Sequence, residues 1–261
     1  MIARVTKMAV PNETPVNAVE TTFRIVEALK ENEGAGVRSL ASELGIPKST
    51  VHDHLRSLER LGYVVNEDGT YTVGAQFLDL GGFARKQMKV YKVAKPEVQE
   101  LAEKTGEHAN FMVEQHGKGI FLYKTEGDQA VRLDTYAGMQ VHLHTTALGK
   151  SMLASMPESR VEEIIDRHGL PKVTDNTIDD VDELQAELDE INERGYATDM
   201  EERVEGMRCI AAPIVGASDE VAGAVSISGP TVRMKGEAFE TELPEAVLGT
   251  ANVIAVNLTY S

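Results

Sequence analysis

Residues 37–65, VRSLASELGIPKSTVHDHLRSLERLGYVV, constrain the fold most, because they set two helical faces on either side of a break that neither can cross. Leu40, Ala41 and Leu44 form the buried face of a first, short helix, with Ser39 placed to cap it. Gly45 lies where a helix ends in a left-handed residue, and Pro47 lies where the following helix begins. The second helix, predicted over 48–61, carries Val51, Leu55, Leu58 and Leu61 on one face. Its opposite face presents Lys48, Ser49, Thr50, His52, Asp53, Arg56 and Arg60. Short hydrogen-bonding groups at the front of such a helix suit base edges in a DNA major groove, and arginines a turn or two later suit phosphates. The expected unit is a helix-turn-helix over residues 39–63.

The flanking segments complete a small domain. Val19, Phe23, Val26 and Leu29 recur at helical spacing, predicting a helix over 18–30 that Glu33-Gly34-Ala35-Gly36 ends. Residues 63–66 and 70–73 read as strands around the turn Glu67-Asp68-Gly69, a hairpin in the position of a wing. A helix pair with a tight turn also occurs in proteins that never touch nucleic acid, and the hairpin directly after it favours the DNA reading. Ser49 and Thr50 also suit N-terminal capping. Arg56 and Arg60 would also serve as solvated surface cations, and their place opposite the apolar seam favours phosphate contact.

Net charge argues against nucleic acid until it is divided. The 261 residues carry a formal charge of −16, and phosphates need cations. Residues 1–74 hold 8 Lys+Arg against 10 Asp+Glu, whereas residues 75–261 hold 18 against 32. The acidity therefore belongs to the larger part, and the first can still present a basic face. An acidic surface of this kind suits very high salt, where carboxylates hold water and ions. Hydrophobic residues at 42% support a normal core. No apolar run approaches a membrane span, no signal peptide opens the chain, and the single cysteine, Cys209, forms no internal disulfide. These features predict a cytoplasmic protein with a flexible tail over residues 1–15.

Residues 75–87 place Phe77, Leu78, Leu80, Phe83 and Ala84 around more than one helical face, predicting a linker helix, taken as residues 75–91, that packs against a second copy of itself. Another helix is expected to start at Pro96 and end at Gly106. Strands are predicted over 110–114, 120–124, 209–215 and 221–228, with one or two more in 131–141. Helices are predicted over 145–156, 158–167, 182–194 and 244–260. This mixed order gives an α+β domain with an antiparallel sheet over residues 92–261, behind a winged helix-turn-helix over residues 16–74.

Three stretches together carry a resemblance. LASELGIPKSTVHDHLRSLERLGYV resembles the winged helix of IclR-type bacterial and archaeal transcription regulators. LHTTALGKSMLA, and GYATDMEERVEGMRCIAAPI followed by VAGAVSISGP, resemble the core motifs of that family's effector-binding domain, in the family order. The acidity fits a member from a halophilic archaeon. The resemblance implies a GAF-like ligand domain, a linker helix, and dimers or dimers of dimers on palindromic operators. It also implies an effector pocket lined by Thr146, Ala147, Leu148, Asp199, Cys209, Ser226 and Ser228. The chemistry of these residues is coherent by itself, since helix N-terminal amides hold a carboxylate and Ser226 and Ser228 face one way on a strand. The partners expected are double-stranded DNA, a small-molecule effector such as an organic acid, and a second copy of the chain. No cofactor or metal is expected. Leu148 is bulkier than the very small residues with which some members admit compact oxoacids.

Each residue also has a plainer role open to it. Ser226 and Ser228 suit bonding to neighbouring backbone, Cys209 suits a small core position, and Asp199 suits capping a turn or pairing with Arg203 or Arg208. Two other functions use the same residue types. Cys209 with His142 or His144 and Asp199 would make a thiol hydrolase, but no local motif activates the thiol. His142, His144, Cys209 and Asp199 would make a metal sensor. The regulator reading, with no enzymatic activity, fits the whole chain best.

Overall fold

The computed structural model describes residues 15–133, 135–217 and 219–260. The predicted tail at 1–15 therefore lies, apart from Pro15, outside the described residues. The chain divides between Arg85 and Lys86 into two compact units.

The first unit packs α1 (Asn17–Glu31), α2 (Val37–Leu44) and α3 (Lys48–Arg60) against a hairpin of β1 (Val64–Glu67) and β2 (Thr70–Val73). Its core is Ile25, Leu29, Leu40, Val51, Leu55, Leu58, Val64 and Tyr71. Gly45 holds φ at 68° between α2 and α3, a left-handed turn that a β-carbon would strain. Ala35 and Tyr71 exchange backbone hydrogen bonds of 3.0 Å, tying the approach to α2 to the hairpin. The His54 ring meets Thr22 Oγ1 at 2.8 Å, which fixes α3 against α1.

The second unit is a six-stranded antiparallel sheet with helices on both faces, so the molecule is α+β as expected. Its strands are β3 (His108–Gln115), β4 (Lys118–Glu126), β5 (Gln140–His142), β6 (Ala197–Met200), β7 (Met207–Val215) and β8 (Val221–Pro230). They lie in the order β5-β4-β3-β8-β7-β6. The period of two along each strand sorts the side chains. Phe111, Ile210, Ala212, Val225 and Ile227 pack on one face with α5 (Lys89–Thr105) and α9 (Leu243–Tyr260). Met112, Ala211 and Ala224 pack on the other with α6 (Ala147–Ala154) and α8 (Val181–Arg194), joined by α7 (Glu158–His168). Asn110, Cys209, Ser226 and Ser228 alternate with the first set and so belong to the α6 face.

Several local expectations change. Ser39 does not cap α2. That helix starts two residues earlier, at Val37, and the extended Gly36 takes the cap position. α5 starts at Lys89 and runs through Pro96, because Tyr91 and Ala94 bury beside Val98 and Leu101. Core burial there outweighs the one helical bond that proline removes. α4 (Gln76–Gln87), most of it within the first unit, forms the predicted linker helix but stops short of the predicted end at 91, and none of its residues is buried. Leu61, expected on the buried face of α3, is 68% exposed and stands just past the helix end. The stretch 131–141 yields only the short β5, while β6, which has just four residues, was not anticipated.

Candidate functional site

Two surfaces carry the candidate chemistry, one in each unit. On α3, Lys48, Ser49, His52, Asp53, Arg56 and Arg60 are exposed and Thr50 is half-buried, opposite the buried Val51, Leu55 and Leu58. Neither Ser49 nor Thr50 caps the helix. Pro47 holds the cap position, with no side-chain bond. His52 Nδ1 lies 3.5 Å from the Asp53 carboxylate. The row therefore presents mixed donors and acceptors in front and cations behind, as base and phosphate contact require.

The second surface is a cavity under the start of α6, enclosing about 470 Å³ of empty space with its open mouth included. Thr146, Ala147, Leu148, Asp199, Cys209, Ser226 and Ser228 all line it, although they come from three separate stretches of sequence. Sheet register explains the convergence. Cys209 stands opposite Ser228 on β8 and opposite Asp199 on β6, and Asn110 on β3 stands opposite Ser226. Asn110 Nδ2 donates to Ser226 Oγ at 3.2 Å and to Ser228 Oγ at 3.1 Å, so the serine hydroxyls answer a side chain. Thr146 caps α6, its Oγ1 accepting the Gly149 amide at 2.9 Å. Ala147 and Leu148 bring the first amides of that helix to the cavity wall. Gly149 lets the chain pass close beneath, since a β-carbon there would stand 2.0 Å from the Leu143 carbonyl oxygen.

Burial sets the electrostatics. Asp199 is 4% exposed, and desolvation, reinforced by Glu202, pushes its carboxyl up to about 7. Its Oδ1 accepts the Glu202 amide at 2.7 Å, so it does cap a turn. Arg208, the other partner considered for it, instead donates to the Met234 carbonyl and lies over the Phe239 ring. Burial raises the Cys209 thiol far out of the thiolate range, and Asp199 raises it further, against a hydrogen bond with Ser228. Such a thiol is no nucleophile. Behind Asp199, the fully buried Lys150 of α6 holds Glu202 at 2.7 Å and Glu187 at 3.4 Å, and Arg194 meets Glu187 at 3.0 Å.

Asn110, Phe121, Leu133, Thr135, Arg203, Val204 and Met207 complete the lining, and sequence reasoning did not place them in the site. Asn110, a polar side chain in an apolar strand, was the available signal. His142 and His144 are not among the lining residues. With Lys118 and His168 they form a separate cluster, in which Lys118 Nζ lies 2.8 Å from His142 Nε2 and the His142 and His144 rings are 5.6 Å apart. Desolvation and the neighbouring Lys118 lower His142 to about 3, desolvation lowers His144 to about 4, and desolvation takes Lys118 to about 8. Among the described residues, no three His, Cys, Asp or Glu side chains converge so as to hold a metal ion. No helix among them is long and apolar enough to cross a membrane.

Comparison with known proteins shows which family the two units match. Residues 18–68 match the family model described as the IclR helix-turn-helix domain, and residues 83–256 match the one described as bacterial transcriptional regulator IclR, C-terminal. The "Probable HTH-type transcriptional regulator ArcR" of Halobacterium salinarum is 35% identical over 247 residues, 93% of this chain and 92% of that protein. The crystal structure of the Thermotoga maritima IclR is similar at a TM-score of 0.73 and 29% identity, covering 94% of this chain and 99% of that one. An IclR homologue from Microbacterium hydrocarbonoxydans, crystallised in complex with 4-hydroxybenzoate, shares the fold at a TM-score of 0.76 and 22% identity, covering 94% and 100%.

Proposed function

Since the chain belongs to the IclR family of transcriptional regulators, we propose that it works in the cytoplasm as a dimer, or a dimer of dimers, whose hold on palindromic operators is set by a small organic acid. The DNA-binding helix-turn-helix and the effector-binding domain are common to the family. The observation that carries the finer reading is the convergence of seven residues from three separate stretches on one cavity, in a chain that also presents a polar, cationic face on α3. The one thiol among the described lining residues, Cys209, is held protonated by burial, which favours binding over thiol catalysis.

In this reading Lys48, Ser49, Thr50, His52 and Asp53 read bases and Arg56 and Arg60 meet phosphates. Two α3 helices in a dimer then sit about 34 Å apart, or a multiple of that, one per half-site. The effector binds among Thr146, Ala147, Leu148, Asp199, Cys209, Ser226 and Ser228. It biases which spacing is populated, with a coupling of about 1–3 kcal/mol. The test has two parts. Arg56→Ala should weaken operator binding and lower the slope of log K against log salt by about one, and an unchanged affinity would defeat the assignment of α3. A thermal-shift screen of organic acids, begun with 4-hydroxybenzoate because a relative binds it, should find a ligand that also changes operator affinity. A ligand at about 100 times its Kd stabilises the protein by about 2.7 kcal/mol.

A further inference from the structure

The cavity holds a cation that the residues already assigned to it do not use. Arg203 lies on the loop between β6 and β7 and is one of the lining residues. Its Nη1 donates to Thr135 Oγ1 at 3.3 Å, its Nη2 approaches Met139 Sδ at 3.0 Å, and the guanidinium lies 5.4 Å from the centre of the Phe121 ring. Among the described residues no carboxylate comes within 4 Å of it. Those two contacts use two of its five N–H donors, and its half-buried guanidinium also rests on the Phe121 face as a cation over a ring.

The loop that carries Arg203 is held from below. The carbonyls of Glu201 and Glu202 accept from Thr174 Oγ1 at 2.8 and 3.0 Å, and Thr177 Oγ1 donates to the Glu202 carbonyl at 2.6 Å. The Glu202 carboxylate is fixed by Lys150, and Glu201 accepts the Gly206 amide at 2.8 Å while holding a left-handed φ of 68°. A guanidinium on a pinned loop, with unused donors and a cavity in front of it, is a preorganised receptor for a planar anion. The same cavity is lined by the hydroxyls of Ser226 and Ser228 and the amide of Asn110, and by the apolar Phe121, Leu133, Leu148 and Met207.

We propose that Arg203 is the specificity-determining anchor of this cavity, binding the carboxylate of a small hydroxy acid whose hydroxyl reaches the Asn110, Ser226 and Ser228 cluster. The inference rests on the cavity being the effector site. It adds the chemical class of the ligand and a residue that the IclR resemblance did not supply. A carboxylate suits the site better than a neutral isostere, because the planar fork accepts both its oxygens. The charge it brings stands near Asp199, which can take up a proton in compensation.

Calorimetric titration of the full-length protein at constant ionic strength tests this, with lactate, 3-hydroxybutyrate and mandelate set against their amides. The acids should bind and the amides should bind at least about tenfold more weakly, the loss expected when a charged hydrogen bond is removed. Arg203→Gln should erase the difference between acid and amide, and Arg203→Lys should keep part of it. Equal binding of acids and amides, or acid binding unchanged in Arg203→Gln, overturns the anchor while leaving the cavity as a binding site. No binding by any of the six compounds overturns the hydroxy-acid assignment, while the wider screen of organic acids decides separately whether the cavity is the effector site. The acid–amide comparison uses the unaltered protein, so it stands even if Arg203→Gln does not fold.

Discussion

Asp199 shows how a single buried group ties the site to pH. Its carboxyl titrates at about 7 in the folded protein, against 3.8 ordinarily. Below about pH 4 it is protonated whether the chain is folded or not. Between about 4 and 7 the unfolded chain ionises and the folded chain does not, so stability is lost as pH rises, and above about 7 the loss is complete. Asp199→Asn keeps an oxygen to accept the Glu202 amide but removes the charge. Its Tm should therefore exceed that of the unaltered protein by a few degrees at pH 8 and converge with it near pH 4. Parallel melting curves across that range would sink this account. The depressed His142 and His144 act oppositely over much of the same range, losing stability as pH falls below about 6.5, and so offset the Asp199 effect in the unaltered protein. At this scale much of the site was legible. Ser226 and Ser228 share a strand face by simple alternation, and the run Thr146 to Leu148 opens a helix. Asn110 and Arg203 were not legible as lining. The face of Asn110 matters only once β3 is known to pair with β8, and Arg203 sits in an irregular loop where no period assigns a side.

The element scale turns on α4. Leu78, Leu80 and Phe83 are exposed at 76%, 54% and 64%, and Val16 just before α1 and Val19 and Phe23 on it are exposed as well. Leaving this much apolar surface in water is unfavourable by about 25 cal/mol for each Å², and in the proposed dimer it is the expected interface. The double variant Leu80→Asp, Phe83→Asp should leave the fold of each unit intact, because neither side chain is buried, while lowering the mass in solution from dimer to monomer. Operator affinity should fall with it, since two half-sites are then no longer bound as one. Sedimentation of the variant as an unchanged dimer would remove α4 from the interface. The helical period of residues 75–87 was readable because the apolar residues exceed one face. By contrast, the start of α5 at Lys89 and the existence of β6 depend on partners far away in sequence. Tyr91 and Ala94 become helical against α9 and the sheet, and Ala197 to Met200 becomes a strand only by pairing with β7.

At the scale of the whole molecule, charge is divided between two tasks. The first 74 residues are near neutral and carry the cations of α3, while residues 75–261 hold 32 acidic against 18 basic side chains. Self-repulsion in the second part should make it unstable in dilute buffer, and added KCl should relieve it. Two explanations of that relief separate at high salt. Screening alone is nearly complete by about 1 M, where the Debye length is about 3 Å. Carboxylates that hold water and potassium ions in the folded state would go on stabilising it beyond that concentration, because the folded surface then binds more ions than the unfolded chain. The acidity of this surface favours the second, so Tm should keep rising well past about 1 M KCl. A plateau by that point would reduce the acidity to ordinary repulsion. Operator binding should respond in the opposite sense, since releasing counterions from DNA is unfavourable in concentrated salt. If the chain is adapted to such a medium, the proposed base contacts by Ser49, Thr50, His52 and Asp53 would carry its discrimination rather than phosphates, and its specificity should survive salt that abolishes non-specific binding.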